Sequence, residues 1–155
     1  PIMMSSHNGL PASGGALGGL DQLEGDFETY GMVIAADADT TAQQFYKTLV
    51  ADHGLEAPWN VVTAMGVSQG LYTVAVIQHA IEANGAEGLT GEMVREALFA
   101  KPITTEETHG FLPTLSFTPE APFPLEGLKV NVGTVKDGMI AIEATDVDVP
   151  DVHKW

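Results

Sequence analysis

Gly66-Val67-Ser68-Gln69-Gly70 spells G-x-S-x-G. That pattern can lift a serine hydroxyl onto a sharp strand-to-helix turn, where a neighbouring base activates it toward an acyl carbon. The chemistry requires a strand at Val61–Met65, then an acid and a histidine downstream of the serine. Glu106 followed by His109, or Asp137 followed by His153, has the right order, and His7-Asn8-Gly9 could supply an oxyanion segment. Metal chemistry finds less material. The five histidines are His7, His53, His79, His109 and His153. No two share the i, i+4 spacing of a helical metal site, and H-E-x-x-H is absent. With no cysteine there are no disulfides and no thiolate ligands. The glycine-rich run Ser13–Gly19 lacks the Lys-Ser/Thr ending of a phosphate loop. Neither a metal nor a cofactor is expected.

A second group of residues suits binding rather than catalysis. Ser5, Ser6, His7 and Asn8 follow the apolar run Ile2–Met4 and bring hydroxyl, imidazole and amide groups together. A loop at the carboxyl end of a sheet strand is where open α/β folds bind ligands. The alternative is that these residues cap a turn.

The element that decides between the readings runs from Asn60 to Gly85. At 100° per residue, Val62, Met65, Gly66, Gln69, Gly70, Thr73, Val76, Ile77, Ala80 and Ile81 fall on one arc. Ser68, Ala75, Gln78, His79 and Glu82 fall opposite. Asn60 is a good N-cap and Gly85 a good residue to follow the last turn. The pattern predicts one helix over Val61–Asn84, its apolar arc buried on a sheet and Ser68 on its polar side. One continuous helix leaves no elbow. Glycine within a helix costs roughly 1 kcal/mol relative to alanine, which a buried helix can absorb.

Ahead of this helix, Ile2–Ser5 and Tyr30–Ala36 read as strands, with a glycine-rich loop and a short weak helix between them. Thr40 and Gln43 fit a capping box for a helix with Ala42, Phe45, Tyr46, Leu49 and Val50 inward, ending at Gly54. Trp59 is either a pocket wall or a plug. A further helix opens at Thr90, buries Met93, Val94, Ala97 and Leu98, and stops before Pro102. Residues 102–127 hold five prolines and read as an extended connection with one strand at Thr114–Thr118. Leu128–Val135 and Met139–Ala144 flank Lys136-Asp137-Gly138, a hairpin turn. Asp146–Trp155 reads as an acidic surface tail.

The 155 residues suit one domain, and 45% hydrophobic content predicts a folded chain. Twenty-one acidic residues against six basic ones give a net charge of −15, which excludes phosphate-neutralising nucleic-acid binding. No uninterrupted apolar run reaches about 18 residues, so no membrane span is expected. The chain opens on Pro1-Ile2-Met3-Met4, inside a strand-like run and without a signal peptide. An N-terminal part is expected to be missing.

In order, PIMMSSHNG, TTAQQFYKTLVADHG, GLYTVAVIQHAIEANG, LTGEMVREALFA and VNVGTVKDGMIAIEA resemble the C-terminal part of the type I periplasmic solute-binding proteins, the Leu/Ile/Val-binding and amide-sensor family. The resemblance implies an α/β fold, specifically a C-terminal fragment of a two-lobed, three-layer αβα architecture. It places residues 1–36 in the second lobe, 37–127 in the first, and 128–155 back in the second. It implies extracytoplasmic, periplasmic capture of a small amphipathic solute (an amino acid, an aromatic or another carboxylate) for the permease of an ABC importer. Some members feed a sensor instead. The ligand contacts it implies are Ser5, Ser6, His7 and Asn8 on one lobe and Met65, Gly66 and Gln69 on the other. Where some members carry a carboxylate for a ligand ammonium, this chain has Ser6 and His7. No catalytic residue is implied. The chain is expected to pair with its missing N-terminal part or with itself.

Overall fold

The computed structural model describes residues 1–5, 9–31, 39–121 and 128–149. Their elements, in order, are strand β1 (Met3–Ser5), helix α1 (Leu10–Leu17), a 3-10 turn at Leu20–Leu23 and strand β2 (Phe27–Tyr30). Helices α2 (Thr41–His53), α3 (Val61–Asn84) and α4 (Gly91–Ala100) follow, then strands β3 (Lys129–Lys136) and β4 (Met139–Asp148). The chain divides into two compact units. The first holds Pro1–Ala64 and Lys129–Val149, and the second holds Met65–Leu128.

In the first unit a four-stranded mixed sheet runs in the order β1-β2-β3-β4. β1 and β2 are parallel, with Met4 opposite Glu28, and α1 is the crossover that parallel neighbours require. β2 pairs antiparallel with β3, bringing Glu28 opposite Gly133. Asp137 and Gly138 both have positive φ, 53° and 71°, so the β3–β4 turn is of the primed hairpin type. Glu24 seals that turn, accepting the Asp137 N–H at 3.0 Å. Leu10, Leu23 and Val135 form the core, with Met4, Leu20 and Ile140 packed against them.

α2 begins as its sequence dictates. Thr40 and Gln43 exchange capping-box hydrogen bonds, and Gly54 closes the helix in the left-handed conformation. In the second unit, Ala75 and Val76 of α3 pack with Ile103, and Tyr72, Val94, Leu98 and Phe117 complete the cluster. Thr90 caps α4 by accepting the Met93 N–H at 3.2 Å.

Two strand expectations change, and one falls mostly outside the described residues. Of the strand expected at Tyr30–Ala36, Met32–Ala36 lie outside the described residues, and Tyr30 ends a strand that starts at Phe27. The charged Glu28 hid this strand from an apolar reading. Thr114–Thr118 is not a strand: only Leu115 bridges, to Ile103, through N–H···O bonds of 2.9 Å each way. Pro113 and Pro119 carry no N–H with which to extend the ladder. Asp146–Asp148, expected in the tail, belong to β4, where the Asp146 N–H reaches Asn131 Oδ1 at 3.2 Å.

The largest correction concerns α3. Its limits, Val61–Asn84, are as expected, but its covered side is largely the opposite one. Ser68, Ala75 and His79 are buried, together with Val76 and Ala80 of the expected arc. The rest of that arc faces outward: Val62 is 74% exposed, and Met65, Ile77 and Ile81 are exposed too. By length and composition alone α3 is nonetheless apolar enough to cross a membrane, with a mean hydropathy of 1.3 over 18 residues. Counting uninterrupted apolar runs does not register this, since Thr, Gln and Gly interrupt the runs without lowering the average much. A helix apolar on both sides needs cover on both; the described residues cover one.

Candidate functional site

β1 ends at Ser5 and α1 begins at Leu10, so the intervening loop leaves the sheet at the carboxyl end of a strand with a parallel neighbour. Ser6, His7 and Asn8 lie outside the described residues, and Ser5 is placed by its pairing with Thr29. The loop's exit is well defined. Gly9 is the N-cap of α1, and it has no side chain with which to accept the helix's first N–H groups. Glu28 does this from β2: its Oε2 accepts the Leu10 N–H at 2.6 Å. The same oxygen accepts the Tyr30 hydroxyl at 2.5 Å. Oε1 is buried and has no partner among the described residues.

Glu28 and Tyr30, two residues apart on one strand, share the inward face and are 0% and 2% exposed. Burial raises the Glu28 carboxyl above its usual range, against the lowering effect of its hydrogen bonds to Tyr30 and Leu10. Burial and the adjoining carboxyl also push the Tyr30 hydroxyl up. Two glycines make the room. A Cβ on Gly9 would stand 1.6 Å from Glu28 Oε1, and one on Gly133 would stand 2.8 Å from the Tyr30 ring. Sequence reasoning missed this acid. An E-x-Y spacing on a short strand after a glycine-rich helix was its one signal.

Met65, Gly66 and Gln69 are exposed on α3. Space over Gly66 is open, so it does not serve close packing within the described residues. Ser68 sits inside the continuous helix and donates to the Met65 carbonyl at 2.8 Å. With helix where the elbow needs a strand, the hydroxyl is turned back onto its own backbone and the acyl-transfer reading loses its geometry. Among the described residues no three His, Asp or Glu side chains gather as a metal site.

Trp59 lines a cavity of about 410 Å³ with Asn60, with Pro11 and Leu20, and with the hairpin residues 136–141. Its ring packs on Tyr46, centroids 5.2 Å apart. Asn60 meanwhile caps α3 through the Thr63 N–H at 2.9 Å.

In the second unit, buried His79 meets Glu107 Oε1 through Nε2 at 2.5 Å. Glu107 Oε2 accepts the Thr104 N–H at 2.7 Å. That backbone donor, more than His79, lowers the Glu107 carboxyl to about 2. A depressed acid contributes stability that is complete above its unfolded value, about 4.3, and is lost as pH falls through its folded value. Thermal unfolding between pH 5 and 2.5 should therefore show a decline in the wild type that is reduced in Glu107→Gln. The difference should be about 1 kcal/mol or less, because solvent screens a partly exposed pair. Parallel curves for the two proteins would count against it.

Neither a protein-family profile nor a curated protein sequence matches this chain. Solved structures do. The chain is similar to a branched-chain amino acid ABC transporter protein from Thermus thermophilus with bound valine. That match has a TM-score of 0.72 and 18% identity over 98% of this chain and 40% of the other. It is also similar to an ABC transporter permease, so described, from the Pseudomonas fluorescens group, with a TM-score of 0.67, 16% identity, and coverage of 94% and 37%. A third is an ABC transporter solute-binding protein from R. palustris in complex with benzoate, at TM-score 0.54 and 16% identity, covering 83% and 32%. The chain thus spans 40% or less of each of these proteins.

Proposed function

We propose, for a chain that has the fold of part of a type I periplasmic solute-binding protein, that it is one portion of an extracytoplasmic receptor delivering a small amphipathic solute to an ABC importer. The observation that carries this reading is the β1–loop–α1–β2 unit. Its loop leaves the carboxyl end of a parallel strand, the position where open α/β sheets take ligands. The fold likeness over 98% of the chain supports it. So do the ligands of two of the similar proteins, valine in one and benzoate in the other. The solute class proposed is an amino acid, an aromatic acid or a related carboxylate, held by hydrogen bonds and burial without bond-making.

In this reading residues 1–36 and 128–155 belong to the second lobe of the receptor and residues 37–127 to the first. Ser5, Ser6, His7 and Asn8 hold the solute's polar end. Met65, Gly66 and Gln69 form the other set of contacts.

A thermal-shift screen of the full protein against amino acids, aromatic acids and keto acids tests the class. Calorimetric titration of Ser6→Ala and His7→Ala with the best compound tests the site. One lost hydrogen bond is worth about 0.5–1.5 kcal/mol, or about 1.5–3 to a charged group. Affinity should therefore fall by between about twofold and a hundredfold, with stability nearly unchanged. Undiminished affinity in both variants would move the site to Met65, Gly66 and Gln69. No response to any compound would remove the solute reading.

A further inference from the structure

The cavity beside Trp59 belongs wholly to the first unit, and every residue that lines it is among the described ones. Its volume of about 410 Å³ falls in the range of small-molecule pockets and leaves room for a small ring compound. Trp59, Pro11, Leu20, Met139 and Ile140 make the lining largely apolar. The Trp59 indole is held by its packing on Tyr46, whose hydroxyl donates to the Ala57 carbonyl at 2.7 Å, two residues before the tryptophan. A flat ligand thus finds a ring to stack on that is already in place, at little cost in ordering. Asn60 adds polarity. Its Oδ1 accepts the Thr63 N–H and caps α3, so the Nδ2 end of the same amide is the donor that it can offer a ligand.

Charge narrows the ligand further. The two charged residues on the lining are Lys136 and Asp137, adjacent and of opposite sign. Together they favour no net charge, and the chain's −15 works against an anion. We propose that this cavity is a second ligand site, for a small neutral aromatic compound that carries a hydrogen-bond acceptor. The ring lies on Trp59, and the acceptor takes an N–H from Asn60 Nδ2. The site stands apart from the proposed solute contacts. Thr134 of β3 pairs with Phe27, the first residue of β2, and β3 runs on past it to Lys136. The hairpin turn on the cavity lining is therefore at the end of the sheet where β2 begins. β1 enters its loop from the other end, where Ser5 pairs with Thr29.

The test titrates the full protein calorimetrically with two probes of nearly the same shape. Acetophenone is a neutral ring with one carbonyl acceptor, and benzoate carries a negative charge in its place. Acetophenone should bind the wild type. Trp59→Ala should weaken it by about tenfold or more, and Trp59→Phe, which restores a ring, should recover most of that loss. Asn60→Ser keeps an oxygen to cap α3 but lacks the amide donor. It should weaken acetophenone by about twofold to tenfold, the worth of one neutral hydrogen bond, with the thermal midpoint little changed. This variant and Trp59→Phe carry the test even if Trp59→Ala does not fold. Any binding of benzoate should be indifferent to all three changes. Acetophenone that does not bind, or whose affinity ignores Trp59 and Asn60 alike, would overturn the site. Benzoate that binds as tightly, with the same sensitivity to these residues, would overturn the neutral class.

Discussion

Gly9→Ala should destabilise the protein by about 3–5 kcal/mol, a large part of the roughly 5–15 kcal/mol by which a domain is stable. The added methyl would stand 1.6 Å from Glu28 Oε1, inside any possible contact distance. A flexible side-chain end could ordinarily swing away. This one is held by Leu10 at 2.6 Å and Tyr30 at 2.5 Å in a fully buried position. To make room, the carboxyl must give up at least one of those bonds, at about 1.5–3 kcal/mol for a charged partner. Overpacking adds about 1–3 kcal/mol. Backbone strain adds nothing to this cost, because Gly9 has φ −77°, which alanine adopts freely. The double variant Gly9→Ala/Glu28→Ala removes the obstruction. It should be more stable than the two single changes summed would give, by about 1–3 kcal/mol. Denaturant midpoints of the four proteins measure the coupling. Additive effects, or a Gly9→Ala cost under about 1 kcal/mol, would mean that Glu28 is not held against the loop.

Self-association is the second large effect expected. Val62, Met65, Val74, Ile77 and Ile81 are all exposed along α3, and Gly66 and Gly70, one turn apart, leave open space through which another backbone can approach. Apolar stripes of this kind seek cover. In light scattering the isolated chain should have at least twice the mass of one 155-residue chain. In the full protein the stripe should be covered by the remaining part, and such association should disappear. Val62→Glu with Ile77→Lys should return the isolated chain to a monomer. Both charges would then be carried on the outward stripe, where each must be buried if association is to continue. A wild-type monomer would contradict the prediction. Flotation of the isolated chain with lipid vesicles would instead make α3 a membrane span, as its length and hydropathy permit.

Helix limits and the hairpin were legible from the residues alone, because their causes are local. Thr40 with Gln43, Asn60 with Thr63, and Thr90 with Met93 satisfy N–H groups within one turn of chain. Gly54 and Gly85 take the left-handed conformation just beyond their helices, and Asp137-Gly138 turns the final hairpin. No distant residue is needed for any of these. The family-like order of elements was legible for the same reason, being a succession of such local signals. Which side of α3 is covered was not. Its two faces are both apolar enough to bury, so the choice falls to whatever packs there, and in this chain Ile103 and Phe117 take the side of Ala75 and Val76. The role of Glu28 was equally hidden. Its strand looked too polar to be interior, and only the tertiary structure brings an α1 N–H and a tyrosine hydroxyl to its carboxyl. Glu24 came to cap the hairpin turn and Trp59 to line a cavity by the same route. A buried charge, a turn seal and a cavity each depend on groups far apart in the chain. Sequence periodicity carries no record of such distances, and the folded backbone decides them.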